Sequence, residues 1–333
     1  MANINYGEIL KKSWTITWKN KWLWLYGLIV GSSAGSAGFR YSSDFSKFFK
    51  NFQDKNLQEI PEKAQAVLGT QTTIFTQWLS QIPGFIWLIL GLSFLSIIIV
   101  YSLINWILQS WATAGLITGI NLAQNNKPAT LKSTSPPALS KIKPLILLTL
   151  IYMLISLGLL LLPALIVGII FAVLSFIPVV NFIWLFIGGL ACLVTWIGGF
   201  ILLGISSIFA QRLIILQNFS PEKAFKTGWQ MARKHFFPSA IMGLINSTLG
   251  CVVSCLSTIV ILALLGIPIG IGIVSLIIGK GFSPLVIPVV LVILLFMMVI
   301  IYIFSLVNAI FTVFKTSNWN LFFTQIISEE LSK

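Results

Sequence analysis

The sequence predicts an all-α fold: a polytopic membrane helical bundle of about six transmembrane helices. Hydrophobic residues make up 57% of the chain and charged residues only 9%. The mean hydropathy is +0.97, which is typical of an integral membrane protein. Basic segments recur between pairs of apolar runs, so we expect three hairpin-like repeats, each preceded by a cytoplasmic basic or amphipathic segment. The chain is interpreted as a single membrane domain over residues 1–333.

Apolar runs define the predicted spans, because a helix needs about 20 mostly apolar residues to cross the hydrocarbon core. Five runs meet this length, at residues 84–110, 144–173, 182–210, 238–269 and 284–314. In the run at residues 238–269, Pro268 marks a helix end or, as an alternative, a break. A sixth, shorter run covers residues 22–38 and precedes the others.

The run at residues 22–38 has two interpretations. Its basic leader, short apolar core and small-residue ending also fit a cleavable signal peptide. However, the leader is long and has its own amphipathic pattern, and Trp22 and Trp24 stand where an interfacial aromatic belt would place them. We therefore interpret residues 22–38 as the first span.

The positions of Lys and Arg predict the orientation, because basic residues that flank spans stay on the cytoplasmic side. They gather before the first span, between the second and third, and between the fourth and fifth. Both termini are expected in the cytoplasm of a bacterial-type plasma (inner) membrane. The expected parts are an interfacial helix at 1–21, an extracytoplasmic amphipathic insertion at 39–82, cytoplasmic basic loops at 124–143 and 211–237, and a cytoplasmic tail at 315–333.

The stretch SPEKAFKTGWQMARKHFF, residues 220–237, is predicted to form an interfacial helix. Ser220 is a good N-cap, and one face carries Phe225, Trp229 and Phe236 while the cations take the other. Such a helix is expected to lie on the membrane surface and to bind anionic lipid. The candidate lipid headgroup contacts, including those of the similar N-terminal segment, are Lys11, Lys12, Lys19, Lys223, Lys226, Arg233 and Lys234.

Weak internal similarity supports the repeat hypothesis. A shift of 214 positions places Glu8 on Glu222 and Lys12 on Lys226, and QNNKP at residues 124–128 matches QNFSP at residues 217–221. Each copy would consist of an interfacial helix and a two-span hairpin. In the middle copy, Pro136 and Pro137 are expected to interrupt the short helix.

The opening GEILKKSWTITWKNKWLW, the paired spans and the returning SPEKAFKTGW resemble a known membrane domain. This is the six-helix domain found fused to some bacterial glycerophosphodiester phosphodiesterases and in related inner-membrane proteins. The resemblance implies a membrane role without catalysis, since the chemistry of the fused proteins belongs to a separate soluble domain that this sequence does not contain. No catalytic residue is therefore assigned to any position.

Direct inspection also yields no catalytic, cofactor or metal site, because the five long predicted spans contain no Asp, Glu or His. His235 is interpreted as a headgroup contact, and Cys192, Cys251 and Cys255 as small apolar packing residues. We expect a protein that is not an enzyme, has no cofactor and does not bind nucleic acid. A protein partner or a homo-oligomer stays open.

Polar side chains within or at the ends of the predicted spans are the remaining candidates: Asn105, Gln109, Gln211, Asn246 and Asn308. They fit interhelical hydrogen bonds or, as an alternative, a polar path near the cytoplasmic half of the bundle. The leading hypothesis is a non-enzymatic protein that organises lipid or recruits partners at the cytoplasmic surface. The alternative is a passive transporter, channel or lipid-moving protein.

Overall fold

The computed structural model describes residues 4–31, 83–173, 176, 178–278 and 286–331. Helices account for 93% of these residues and no strand occurs among them, which confirms the all-α prediction. The chain divides into two compact units, one of residues 1–37 with 107–333 and the other of residues 38–106. The predicted insertion at 39–82 lies outside the described residues.

The described helices have the following bounds. They are α1 (Tyr6–Lys19), α2 (Leu23–Gly31), α3 (Gly84–Gln124), α4 (Leu131–Ser140), α5 (Ile142–Val173), α6 (Pro178–Gln217), α7 (Pro221–Lys234), α8 (Phe236–Ile278) and α9 (Val286–Leu331). The long helices α3, α5, α6, α8 and α9 contain segments that are long and apolar enough to cross a membrane. A multi-pass membrane protein is thus confirmed at this level. Helix α2 begins the predicted first span, but residues 32–38 are not described, so a sixth span stays a prediction.

All the long helices but α5 continue past the predicted ends of their spans, and α8 does so by running from 269 to Ile278. Helix α3 runs to Gln124, α6 to Gln217 and α9 to Leu331, where the predicted spans end at 110, 210 and 314. The added turns are helical because they bury apolar side chains, such as Ile120, Ile214 and Phe322. The segment predicted as a cytoplasmic tail is therefore mostly a packed helical continuation of α9.

Proline positions gave two wrong predictions. Helix α4 contains both Pro136 and Pro137, although these residues were expected to interrupt it. Both prolines lie on its exposed face, and its first turn is stabilised by a capping box between Thr130 and Ser133. Helix α8 likewise continues through Pro268 to Ile278, and packed membrane helices tolerate such residues.

Helices α1 and α7 have the same length and bury the same positions. Each has 14 residues, and their starts lie 215 positions apart. The buried residues of α1 are Ile9, Ser13, Ile16 and Thr17, and those of α7 are Ala224, Gly228, Met231 and Ala232. The same offset of 215 relates all four pairs, so the shift of 214 chosen from residue identities is one position off.

Helix α4 begins in the same register. Its buried residues are Thr134 and Ala138, which lie 90 positions before Ala224 and Gly228 of α7. The N-caps Asn5, Thr130 and Ser220 follow the same offsets. Asn126 and Asn218 adopt φ values of 56° and 58°, and these left-handed residues turn the chain out of α3 and α6 into the short helices.

The core lies at one end of the first unit. There the short helices α1, α4 and α7 surround the last turns of α3, α6 and α9, and we call this assembly the collar. The largest fully buried side chains of this core include Phe209, Phe322 and Phe323, together with Tyr26 of α2. Outside the collar, most apolar side chains of α5, α6 and α8 that the structure describes are exposed, as expected of surfaces that contact lipid.

Helix α2 joins the collar through close approach of its backbone to α9. A Cβ atom on Gly27 would collide with the carbonyl oxygen of Ala309, and one on Gly31 would lie 3.0 Å from Thr312 Oγ1. Small residues four positions apart allow such contact between membrane helices. On the other side of α2, the Tyr26 ring packs 5.2 Å from the Trp111 ring of α3.

Candidate functional site

The predicted headgroup contacts form the exposed surface of α1 and α7. All seven side chains are exposed, namely Lys11, Lys12, Lys19, Lys223, Lys226, Arg233 and Lys234. Lys12 forms an ion pair with Glu8 at 2.6 Å, and its hydrogen bond holds the pKa of the Glu8 carboxyl below its usual value. This pair is exposed, so it contributes little to stability.

The apolar face of α7 packs on protein, which corrects the expected orientation on lipid. A Cβ on Gly228 would lie 3.0 Å from both the Ser206 carbonyl oxygen and the Ala210 nitrogen of α6. The Phe225 ring packs 5.2 Å from Tyr152 of α5, whose hydroxyl hydrogen-bonds to Ser206 Oγ at 2.6 Å. Helix α6 thus supplies the apolar partner that the sequence-based interpretation assigned to the membrane.

Two features fix the ends of α7. At the start, Lys223 Nζ lies 4.3 Å from the centre of the Phe219 ring, a cation–π contact. At the other end, His235 is the C-cap, and its side chain is half-buried. The helix is therefore held in a fixed orientation with its basic face outward.

Helix α1 exposes tryptophans beside its cations. The exposed fractions are 55% for Trp14 and 42% for Trp18, and 63% for Trp22 in the connection to α2. The Trp14 ring packs 5.5 Å from Trp18 and 6.0 Å from Phe314 of α9. Sequence reasoning identified Trp22 but missed Trp14 and Trp18. Their spacing of four residues already indicates that these side chains lie along one ridge of the helix surface.

The last turns of α9 contribute Ser317, Asn318 and Asn320 to a buried polar cluster, and sequence reasoning missed these three residues. Arg212 of α6 donates to the carbonyl oxygens of Ile208 and Thr316 at 2.8 and 3.3 Å. Asn318 Nδ2 donates to Asn246 Oδ1 of α8 at 2.8 Å. Asn320 Nδ2 donates to the Ile117 carbonyl of α3 at 3.2 Å. One turn of α9 therefore connects three other helices through polar contacts.

This cluster retains polar atoms without a hydrogen-bond partner in the described structure. They include Arg212 Nε, Ser317 Oγ, Asn318 Oδ1 and Asn320 Oδ1. The missed signal was KTSNWNLFF at residues 315–323, where small polar residues alternate with large apolar ones. The predicted cytoplasmic tail at 315–333 gives these polar residues no packing role, and their burial corrects that prediction.

The predicted intramembrane polar set is not joined by hydrogen bonds. Asn246 is buried, whereas Asn105, Gln109, Gln211 and Asn308 are half-buried. Among the hydrogen bonds of the described residues, none connects two members of this set. Asn246 instead bonds to Asn318 and, through its own Nδ2, to the Met242 carbonyl at 3.0 Å, as expected for interhelical contact.

No group of three or more His, Cys, Asp or Glu side chains that could hold a metal ion occurs among the residues that the structure describes. Cys192 is buried, and Cys251 and Cys255 are exposed on α8. In comparisons with protein-family models, curated proteins and solved structures, none matches this chain. The resemblance to the membrane domain of the fused phosphodiesterases stays a prediction.

Proposed function

We propose that this is a non-enzymatic membrane protein that organises anionic lipid at the cytoplasmic face of a bacterial-type inner membrane. In this proposal both termini are cytoplasmic, and three repeats of a short helix and a hairpin build the bundle. The collar presents its basic face to the headgroups of the surrounding leaflet. Recruitment of a protein partner by the same face is the second part of the proposal.

The observation that carries the proposal is the orientation of α1 and α7. Their apolar faces are buried against α9 and α6, and all seven candidate cations are exposed. Juxtamembrane cations each contribute about 1 kcal/mol of attraction to an anionic leaflet, and salt screens this attraction. Because the helices are fixed by packing, the cations form a permanent surface that costs no ordering of the backbone when lipid binds.

The experiment measures lipid selectivity around the reconstituted full chain. Energy transfer from the protein to labelled lipid is compared for phosphatidylglycerol and phosphatidylcholine in mixed vesicles. The wild-type protein should enrich phosphatidylglycerol, and added salt should reduce the enrichment. A variant with Lys223, Lys226, Arg233 and Lys234 changed to Gln should lose about half of it. Equal transfer to both lipids in the wild type would refute the proposal.

A second candidate function is passive passage of a solute or lipid, and the buried polar cluster of α9 favours it. Arg212, Asn246, Asn318 and Asn320 are all buried, and three of them retain unpaired polar atoms. The competing explanation is interhelical hydrogen bonding, which is the common role of such residues. Lipid scrambling or solute flux in vesicles that Asn318→Leu abolishes, with the chain still folded, would favour passage.

A further inference from the structure

We infer that α1 and α7 each carry one binding site for an anionic phospholipid headgroup, formed by Lys11 with Trp14 and by Lys226 with Trp229. This inference rests on the proposed function and deepens it, since it assigns the lipid contact to two defined pairs. The remaining exposed cations would then contribute only general attraction.

The shared register of the two helices places the same residue types at equivalent positions. The offset of 215 positions follows from their ends and buried residues alone. The same offset places Lys11 on Lys226, Trp14 on Trp229 and Lys19 on Lys234. The four residues of the two pairs are neither buried nor at a helix end, so their match is independent of the register. Equivalent sites on the protein surface therefore carry the same cation and the same indole ring.

The spacing within each pair brings the lysine and the tryptophan together on the helix surface. Residues three apart on a helix are neighbours on its surface, so each lysine lies beside its tryptophan. Lys11, Trp14 and Lys226 are exposed, and Trp229 is half-buried. A lysine can extend its apolar stem along the interface and bring its ammonium group to a phosphate, while an indole ring is stable at the boundary between headgroups and acyl chains.

The indole N–H groups of Trp14 and Trp229 differ from those of four other tryptophans. Trp24, Trp111, Trp184 and Trp196 donate theirs to acceptors within the protein. Within the described structure, Trp14 and Trp229 have no such acceptor. An interfacial tryptophan with a free N–H can donate to a lipid ester or phosphate oxygen. Each pair thus offers one cation and one neutral donor.

The position of the helices favours lipid over a soluble partner. Only three residues separate α1 from α2, and only His235 separates α7 from α8. The candidate span of α8 begins at Phe236. Both pairs therefore lie within about two to three turns of a membrane-entering helix, at the depth where headgroups are found.

The short helix α4 provides an internal control. Its burial register places Pro136 at the lysine position and Leu139 at the tryptophan position, and both are exposed. Neither side chain carries a charge or a hydrogen-bond donor. Helix α4 should therefore lack the site, although it occupies the corresponding place in the collar.

The test counts phospholipids retained by the purified full chain. The protein is reconstituted with phosphatidylglycerol and phosphatidylcholine, and bound lipids are counted by native mass spectrometry. The variant Lys11→Gln/Trp14→Ala should lose one tightly held phosphatidylglycerol, and Lys226→Gln/Trp229→Ala should lose the other. Each lysine change alone should weaken retention about fivefold, the equivalent of about 1 kcal/mol. Leu139→Ala should change nothing.

The controls separate this inference from the proposed function. The matched variants Lys127→Gln and Lys132→Gln remove exposed cations next to and on α4, outside the pairs and outside the candidate contacts, and they should retain both lipids. If they lose lipid as readily as Lys11→Gln and Lys226→Gln, the defined sites are refuted and general attraction survives. If the wild type holds phosphatidylglycerol and phosphatidylcholine equally, both proposals fail. An unchanged thermal unfolding midpoint confirms that each variant is folded.

Discussion

Single residues in the collar show how closely its helices pack. Gly228 allows α7 to contact the backbone of α6, since a Cβ there would lie 3.0 Å from two backbone atoms. A backbone atom cannot move aside as a flexible side chain can. The small buried residues Ser13 and Ala138 occupy the same register in α1 and α4. The size of the residue at this position therefore sets how closely each short helix approaches its neighbour.

The first prediction concerns this contact. Gly228→Ala should lower the free energy of unfolding by about 1–3 kcal/mol, because the added methyl group overpacks the interface. The matched control is Gly204→Ala in α6, where a Cβ would meet nothing within 4 Å; it should be neutral or stabilising by up to about 1 kcal/mol. Thermal unfolding in detergent measures both. An equal effect of the two changes would contradict the packing of α7 on α6.

The second prediction concerns the buried amide pair. Asn246→Ala and Asn318→Ala should each destabilise the protein, because each leaves the partner amide buried without its 2.8 Å hydrogen bond. The double variant should cost less than the two changes combined, with a coupling of about 0.6–1.7 kcal/mol. A double-mutant cycle of unfolding measures this coupling. Strict additivity would show that the two side chains do not interact.

At the scale of elements, the long spans were predictable because their apolar runs exceed the bilayer thickness. The helix ends were not, because the last turns of α3, α6 and α9 mix polar and apolar residues. Their helicity depends on burial against the short helices, which periodicity alone does not reveal. Helix α4 was missed for a similar reason: Pro136 and Pro137 oppose helix formation locally, but capping and packing outweigh them.

The candidate site was predicted only in part. The exposed cations could be identified from charge and amphipathic spacing. The protein-facing side of α7 could not, because a stripe of Phe, Trp and Ala fits lipid and a neighbouring helix equally well. The Ala, Gly and Met residues that α7 buries indicate close helix packing only after the partner helix is known.

The third prediction tests the last turns of α9. A chain that ends at residue 314 should fail to fold, because it lacks the buried side chains Phe322 and Phe323 and the polar contacts of Asn318 and Asn320. A chain that ends at Leu331 is the matched control and should behave like the wild type. Monodisperse elution in detergent and the unfolding midpoint are the readouts. Normal behaviour of the shorter chain would restore the tail interpretation.

Across the chain, α4 and α7 each contact the long helix that precedes them, whereas α1 contacts the last helix. Helix α7 packs on α6, and α4 contacts α3, where Trp111 Nε1 donates to Ser135 Oγ at 3.3 Å. Helix α1 packs on α9 at the opposite end of the chain, and the Tyr6 ring stacks 6.4 Å from Phe322. These contacts hold the N-terminal helix against the C-terminal one.

The central claim is that the basic collar lies on the cytoplasmic side, where the leaflet is anionic. Impermeant maleimide labelling of intact cells tests it most directly, with Cys192, Cys251 and Cys255 replaced by Ala. Single cysteines at Thr15, Ser140 and Gln230 occupy exposed positions on α1, α4 and α7, and Ser42 lies in the predicted outer insertion. Ser42→Cys should react in intact cells, and the three collar positions should react only after permeabilisation. Labelling of the collar cysteines in intact cells, with Ser42→Cys protected, would contradict it.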